Sequence, residues 1–284
     1  MDDSKIFIVG SNGQLGTALK HKYPNARYAD RDQLDITDRN SVESFDWDGI
    51  EILINAAAYT NVDGAETSEG RTAAWGINAD AVANLVAVAA QHNMTLIHVS
   101  SDYVFDGRLD NHTEDEAFSP LSVYGASKAA GDLAVSLAPK YYLIRTSWVI
   151  GEGNNFVRTM LGVGKKGINP TVVSDQIGRL TFTSELVKAI DFLLDKKPPF
   201  GTYNITNSGE SVSWADITRK IYKFAGLDNS VTDVSTKEYF NGKENIAARP
   251  KQSTLDLMKI QSQGFESTDW EVALKSYVNK ELNK

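Results

Sequence analysis

Four apolar residues, Ile6-Phe7-Ile8-Val9, run directly into Gly10-Ser11-Asn12-Gly13-Gln14-Leu15-Gly16, and this junction constrains the fold more than any other stretch of the chain. The apolar run reads as a buried strand and the residues from Gln14 onward as a helix, so glycines at every third position occupy the turn between them. A backbone without Cβ atoms turns tightly there and lets a pyrophosphate approach the free amides at the helix N-terminus. Gly10, Gly13, Gln14, Leu15 and Gly16 are therefore candidate dinucleotide contacts. A glycine triplet alone also fits an ordinary loop; the strand before it and the helix after it favour the dinucleotide.

The rest of the first half continues the pattern. Residues 5–9, 26–29, 51–55, 95–100 and 141–146 are predicted strands, and residues 14–22, 39–45, 72–92 and 122–137 predicted helices. Short strands alternating with longer helices form right-handed βαβ units, which place helices on both faces of one parallel sheet. The predicted fold is thus α/β, a Rossmann-type doubly wound sheet. After residue 150 the alternation loosens, with helices near 156–165, 184–195 and 215–225 and strands near 171–173 and 202–205. Residues 1–150 are read as the NAD(P)-binding domain. Residues 151–284 are read as a smaller substrate-binding lobe, with some elements returning to the sheet.

Composition excludes several function classes. With 284 residues and 42% apolar content the chain is large enough for one big core and a small lobe. A formal net charge of −8 offers no general attraction for nucleic acid or anionic membrane, so a phosphate-bearing ligand needs a local cluster of donors. The absence of cysteine removes disulfides, thiolate nucleophiles and cysteine-ligated metals, and a reducing cytoplasm fits. The first apolar run is too short and wrongly flanked for a signal peptide, and no uninterrupted apolar run reaches the roughly 20 residues of a membrane span. His21, His92, His98 and His112 fall in different elements without metal-ligand spacing, so no metal is expected.

Asp30 stands twenty positions after Gly10, at the end of the second predicted strand, where a carboxylate commonly accepts from the adenine-side ribose; it reads equally as a turn aspartate. Arg31 follows and suits a 2′-phosphate, so NADH and NADPH both remain open. Asp35-Ile36 and Ala56-Ala57-Ala58 come where loops reach the carboxyl ends of strands. The alanines suit either a close-lying cofactor or close helix packing.

The chemistry is carried by Tyr124-Gly125-Ala126-Ser127-Lys128, with Ser101 upstream on the fourth strand and Ser100 beside it. Tyrosine and lysine four apart share a helix face. Reducing a ketone takes a hydride on carbon and a proton on oxygen. A phenol near pKa 10 needs help from a neighbouring ammonium to exchange protons at neutral pH, and Lys128 is expected to lower it. A serine hydroxyl would hold the substrate oxygen beside the phenol.

Four further segments carry a family resemblance. They are Asn55-Ala56-Ala57-Ala58-Tyr59-Thr60 with Val62-Asp63; His98-Val99-Ser100-Ser101-Asp102-Tyr103-Val104-Phe105-Asp106-Gly107; Arg145-Thr146-Ser147-Trp148-Val149; and Gly153-Asn154-Asn155-Phe156 leading to Asp175-Gln176-Ile177-Gly178. With the glycine and Tyr/Lys motifs they resemble the dTDP-4-dehydrorhamnose reductases of the extended short-chain dehydrogenase/reductase family. The resemblance spans residues 10 to about 180. It implies reduction of the C4 ketone of dTDP-4-dehydro-β-L-rhamnose by NADPH or NADH, the last step of dTDP-rhamnose biosynthesis, supplying cell-wall polysaccharide. Tyr124 would be the proton donor, Lys128 its electrostatic partner, and Ser101 would stand where threonine is frequent. Tyr59, Thr60, Val99, Tyr124 and Lys128 would join the dinucleotide contacts. Asp102, Tyr103, Trp148, Asn155 and Arg249 would touch the sugar nucleotide, and Asn78 would order a water near the lysine.

Each of these residues also has a plainer reading: Trp148 as core, Asp102 as a turn cap, Arg249 as a solvated charge, Asn78 as helix surface. Some family members dimerise around magnesium through a glutamate in the first helix. Here Thr17-Ala18-Leu19 offers none, so a monomer or a metal-independent homodimer is expected, with no nucleic-acid or membrane partner. Two other readings share the motifs. One is an NDP-sugar epimerase or dehydratase, although a 4,6-dehydratase typically needs Asp-Glu where Asp102 is followed by Tyr103. The other is a non-catalytic NADP-binding subunit resembling the methionine adenosyltransferase β subunit.

Overall fold

The computed structural model describes residues 2–284. Its first half alternates as β1 (Ile6–Val9), α1 (Gln14–Lys22), β2 (Arg27–Ala29), α2 (Arg39–Ser44), β3 (Ile52–Asn55), α3 (Ser68–Trp75), α4 (Ala81–Gln91), β4 (Thr95–Ser101), α5 (Val123–Val135) and β5 (Tyr141–Thr146). The second half holds β6 (Val149–Ile150), α6 (Phe156–Lys165), β7 (Thr171–Val173), β8 (Ile177–Gly178), β9 (Thr181–Phe182), α7 (Thr183–Lys196), β10 (Gly201–Asn204), β11 (Val212–Ser213), α8 (Trp214–Ala225), β12 (Thr232–Val234), α9 (Thr236–Tyr239), α10 (Met258–Ser262) and α11 (Trp270–Leu282).

Six parallel strands form one sheet in the order β10-β5-β4-β3-β1-β2. The chain leaves β1 toward β2 on one side and returns to β3 on the other, so the winding reverses between β1 and β3. Ligands of such sheets bind in the crevice outside the carboxyl ends at that reversal, and the glycine turn after β1 opens there. Burial on both faces explains the unbroken apolar strands. Ile8, Ile54, Ile97 and Ile144 pack with Leu19 of α1 and Leu186 and Ile190 of α7. Their neighbours Phe7, Leu53, Leu96 and Leu143 point the other way, onto Val82, Leu85 and Val88 of α4.

A third cluster, including Ile150, Leu161, Phe182, Ile217, Trp270 and Leu274, joins α6, α8 and α11 beyond the sheet. Two-stranded ladders β6–β9, β7–β12 and β8–β11 frame it. Within residues 151–284, α7 and β10 return to the large sheet.

The predicted helix over 72–92 differs in form. It starts at Ser68, where the Thr67 hydroxyl accepts from Gly70 N at 3.1 Å, and a π-turn, Gly76–Asp80, joins α3 to α4. α5 packs against this turn at backbone contact: a Cβ on Gly131 would stand 2.2 Å from the Asn78 carbonyl. The whole stretch Ser68–Gln91 is long and apolar enough to cross a bilayer by length and composition, yet Ala81, Val82, Leu85, Val88 and Ala89 face the core.

Candidate active site

A cavity of about 650 Å³ opens at the carboxyl ends of β1, β3, β4 and β5. Its wall includes Gly13, Gln14 and Leu15 from the glycine turn, Ala56, Ala58 and Thr60 after β3, Val99, Ser101, Asp102 and Tyr103 at the end of β4, Tyr124 and Lys128 on α5, and Trp148 after β5.

The three glycines do different work. A Cβ on Gly10 would lie 2.4 Å from Ala57 N, and one on Gly16 2.3 Å from the Gly10 carbonyl, so the chain's own packing requires both. A Cβ on Gly13 would meet nothing nearer than the Gly10 carbonyl at 3.5 Å, which is ordinary contact. Gly13 is the N-cap of α1, without a side-chain cap, and the first turn carries no acidic residue. The open face over Gly13 and the first amides of α1 fit a dinucleotide pyrophosphate. The Gln14 side chain is engaged elsewhere, its Oε1 accepting from Gly151 N at 2.7 Å.

The adenosine-side candidates stand off the cavity wall. Asp30 accepts from the side chain of Asn12, a wall residue that also accepts from Lys20 Nζ at 2.9 Å. Arg31 is largely exposed and 4.0 Å from Asp35. The Asp35 carboxylate accepts from Thr37 N and Oγ1, which hold it below its usual range. Ile36 is buried in the core and Ala57 covers Gly10.

Local structure brings the acid/base residues together. Ser122 caps α5 by accepting from Gly125 N at 3.1 Å, and Val123 N donates to Glu66 at 2.9 Å. A Cβ on Gly125 would stand 2.2 Å from the Tyr103 carbonyl, so glycine there lets α5 seat against the end of β4. Tyr103 then meets Tyr124 edge-on, with ring centres 5.3 Å apart. Burial pushes the Tyr124 phenol up to about 12; the Ser101 hydroxyl opposes this, and the Asp102 and Asp132 carboxylates add to it. Lys128 is 1% exposed, donates to the Val99 carbonyl at 2.8 Å, and is drawn down to about 8 by burial, with Asp132 opposing. Burial outweighs every other influence on the phenol and Lys128 is not among the groups that move it, while one of the three N–H groups of its ammonium donates to the Val99 carbonyl.

Ser101 Oγ donates to Asp102 Oδ1 at 3.0 Å and accepts from Tyr103 N at 3.2 Å. Asp102 is buried, which raises its carboxyl to about 6 against the opposing hydroxyls of Ser253 and Ser101. Trp148 adopts φ +47, and its ring stacks on Trp214 at 3.8 Å. A Cβ on Gly178 would press on that ring at 2.9 Å. Trp148 is a rigid plate in the wall rather than plain core.

Three candidates are engaged elsewhere. Asn155 caps α6 through Arg158 N and donates to Gly151 O and Tyr277 Oη, while its neighbours Glu152, Gly153 and Asn154 line the cavity. Arg249 pairs with Asp63 at 2.7 Å and lies over Phe240, off the wall. Asn78 is buried in the π-turn, not on a helix surface: it accepts from Tyr59 N at 2.9 Å and donates to Tyr59 O and Ser127 Oγ, which pins the Tyr59 backbone, and Tyr59 does not line the cavity. Sequence reasoning missed Asn12, Glu152 and Leu186 as wall residues. Only Asn12, inside the glycine motif, gave a local signal.

Comparison with known proteins adds the family. The RmlD substrate binding domain matches residues 4–283. The chain belongs to this family. A curated relative, the dTDP-4-dehydrorhamnose reductase of Aggregatibacter actinomycetemcomitans, is 38% identical over 96% of this chain and 98% of its own. The family's fold is shared in full by two solved structures. The dTDP-4-dehydrorhamnose reductase of Bacillus anthracis in complex with NADP superposes with a TM-score of 0.89 at 35% identity, covering 97% of this chain and 98% of that one. The corresponding protein of Clostridium acetobutylicum gives 0.90 at 35% identity, covering 98% and 99%.

Proposed function

We propose that the chain reduces the C4 ketone of dTDP-4-dehydro-β-L-rhamnose to dTDP-β-L-rhamnose, using NADPH or NADH. The observation that carries the reading is a buried phenol, Tyr124, kept in its neutral form beside Ser101 in a cavity that also holds the open glycine turn. When bound, the reduced nicotinamide supplies the hydride to C4. Tyr124 Oη gives its proton to the carbonyl oxygen as the hydride arrives at carbon, and the raised pKa keeps that proton available at neutral pH. Ser101 Oγ, its proton turned from Asp102 to the substrate, holds the carbonyl oxygen in line, and Lys128 offers a charge to the phenolate left behind. Trp148, Asp102 and Tyr103 give the sugar nucleotide a flat wall and hydrogen-bonding edge. Residues 1–150 would hold the dinucleotide and the reacting end of the sugar nucleotide, with Glu152, Gly153 and Asn154 of the lobe closing the wall beside it. The enzyme would work in the cytoplasm, as a monomer or a dimer that needs no metal.

The test follows cofactor oxidation with enzymatically made substrate, NADPH against NADH, for the parent and Tyr124→Phe. Loss of the acid is expected to lower kcat by roughly 10²–10⁴-fold while the NADPH Kd stays within about twofold. Normal turnover by the variant would remove Tyr124 from the reaction. A parent that binds NADPH but never oxidises it with this sugar would remove the substrate.

A further inference from the structure

Below Lys128, between α5 and the sheet, lies a pair of charges that the reaction above does not use. Tyr124, Lys128 and Asp132 follow at four-residue steps on one face of α5. Asp132 is 1% exposed, and its Oδ2 accepts from Arg145 Nε at 2.9 Å. Arg145 is 4% exposed. It donates through Nη1 to the Glu114 carbonyl at 2.9 Å, and its guanidinium lies 5.2 and 5.1 Å from the ring centres of Phe105 and Phe118. Four contacts therefore fix the guanidinium, and the guanidinium fixes the carboxylate.

A buried ion pair is weak evidence for stability, because apolar side chains of similar volume commonly serve as well. Its position supplies the better explanation. Lys128 is an ammonium removed from water, and the protein acceptor it has is a neutral carbonyl, that of Val99. The ionisable and charged groups packed around it are few. Tyr124 and Asp132 lie on α5 itself, Arg145 on β5 and His98 on β4, while the π-turn opposite presents Asn78. His98 is neutral in its buried place, with Nδ1 3.0 Å from Asn55 Nδ2. Asp132 is the sole carboxylate in that set. Burial raises its carboxyl, and Arg145 first, then the neighbouring Ser100 hydroxyl, oppose this; Ser100, the register neighbour of Arg145 on β4, also reaches the cavity wall.

We propose that Asp132 is a positioning residue for the reduction: it is the counter-ion that keeps Lys128 a cation beneath Tyr124, and Arg145 holds the Asp132 carboxylate in place. The three charges alternate in sign: Asp132 pairs directly with Arg145 and acts on Lys128 through space, one helical turn away. The inference rests on the reductase reading for its consequence, but Lys128 can also be followed through cofactor binding. Desolvation alone pulls the lysine down, and the carboxylate works against it. Removing the carboxylate charge moves the lysine's titration to lower pH, with a tenfold change in charged fraction for each pH unit.

The experiment compares Asp132→Asn with the parent in two pH profiles: kcat with the sugar nucleotide, and NADPH Kd from tryptophan fluorescence, each from about pH 6 to pH 10. The alkaline limb of both is expected to fall at least about one unit earlier, so that activity near pH 9 drops about tenfold or more while that near pH 6 stays within about threefold. Asp132→Glu should bring the limb back. Asp132→Asn leaves Arg145 without its counter-charge, so Asp132→Asn/Arg145→Met, which removes both charges, is measured beside it and should show the same early limb. An unmoved limb in the double variant, or a uniform loss at every pH, overturns the proposal and leaves the pair a structural one. If the parent itself fails to turn over, the reductase reading falls and the limb in NADPH Kd alone decides this one.

Discussion

Gly13→Ala separates what the glycine turn does for the protein from what it does for the ligand. Gly13 has φ −73 and ψ 173, open to any L-residue, and the added Cβ would have one neighbour at 3.5 Å. Folding gains about 0.4–1 kcal/mol from a less flexible unfolded chain and loses a similar amount because alanine is a poorer N-cap than glycine. Net stability should change by less than about 1 kcal/mol, or roughly 2 °C in Tm at about 2 cal/mol/K per residue. The same methyl group would stand on the open face where, in the proposed reading, the pyrophosphate approaches the α1 amides. Losing two charge-assisted hydrogen bonds at about 1.5–3 kcal/mol each weakens NADPH binding by about 100-fold or more. Gly16→Ala should do the reverse damage, since its Cβ would stand 2.3 Å from the Gly10 carbonyl and force the turn itself to move. Thermal unfolding without cofactor and an NADPH fluorescence titration read the two effects separately. A Gly13→Ala protein that binds NADPH within about threefold of the parent would refute the placement of the pyrophosphate.

Two further outcomes follow from the wall of the cavity. Trp148 holds φ +47, so Trp148→Gly should be less destabilising than Trp148→Ala by about 1 kcal/mol in urea unfolding, although both lose the stack on Trp214; the opposite order would deny the backbone strain. Asp102, raised by burial from 3.8 to about 6, binds its proton more tightly folded than unfolded. Below about pH 4 both states are protonated and nothing is lost, whereas above about pH 6 the buried carboxylate costs up to about 3 kcal/mol. Asp102→Asn is therefore expected to raise stability at pH 7 and above and to leave it nearly unchanged near pH 4. A gain independent of pH would mean that the carboxylate is not the cause.

The legible parts of the fold were those whose signal is local. Ile6–Val9 followed by the glycine turn marks a strand, a crevice and a helix within eleven residues, and the Tyr124/Lys128 spacing marks a helix face. The π-turn at Gly76–Asp80 left no mark, because it depends on Gly131 admitting α5 to the Asn78 carbonyl from another part of the chain. The two-residue ladders of the lobe are too short to have a period. α11 was readable and went unread: Asp269 accepts from Glu271 N as a cap, and Trp270, Leu274 and Val278 recur at four-residue steps on the buried face.

Residues chosen for polarity at the right motif position divide by a contact that sequence does not hold. Gln14 and Arg249 both suit a ligand by type and by place. Gln14 reaches Gly151, 137 residues away, and Arg249 reaches Asp63, 186 residues away, so each ties the sheet half to the lobe at the rim of the cavity. A motif position next to a ligand is also next to whatever chain closes over that ligand, and both neighbours favour the same hydrogen-bonding side chains. The same ambiguity runs the other way at Asp132. Its spacing from Lys128 is a property of the sequence, but an aspartate one turn along a helix reads as solvated unless Arg145, on a strand thirteen residues later, is known to pair with it. The chemistry at the top of α5 was therefore visible in the sequence, and the electrostatics that support it were visible only in the packing beneath.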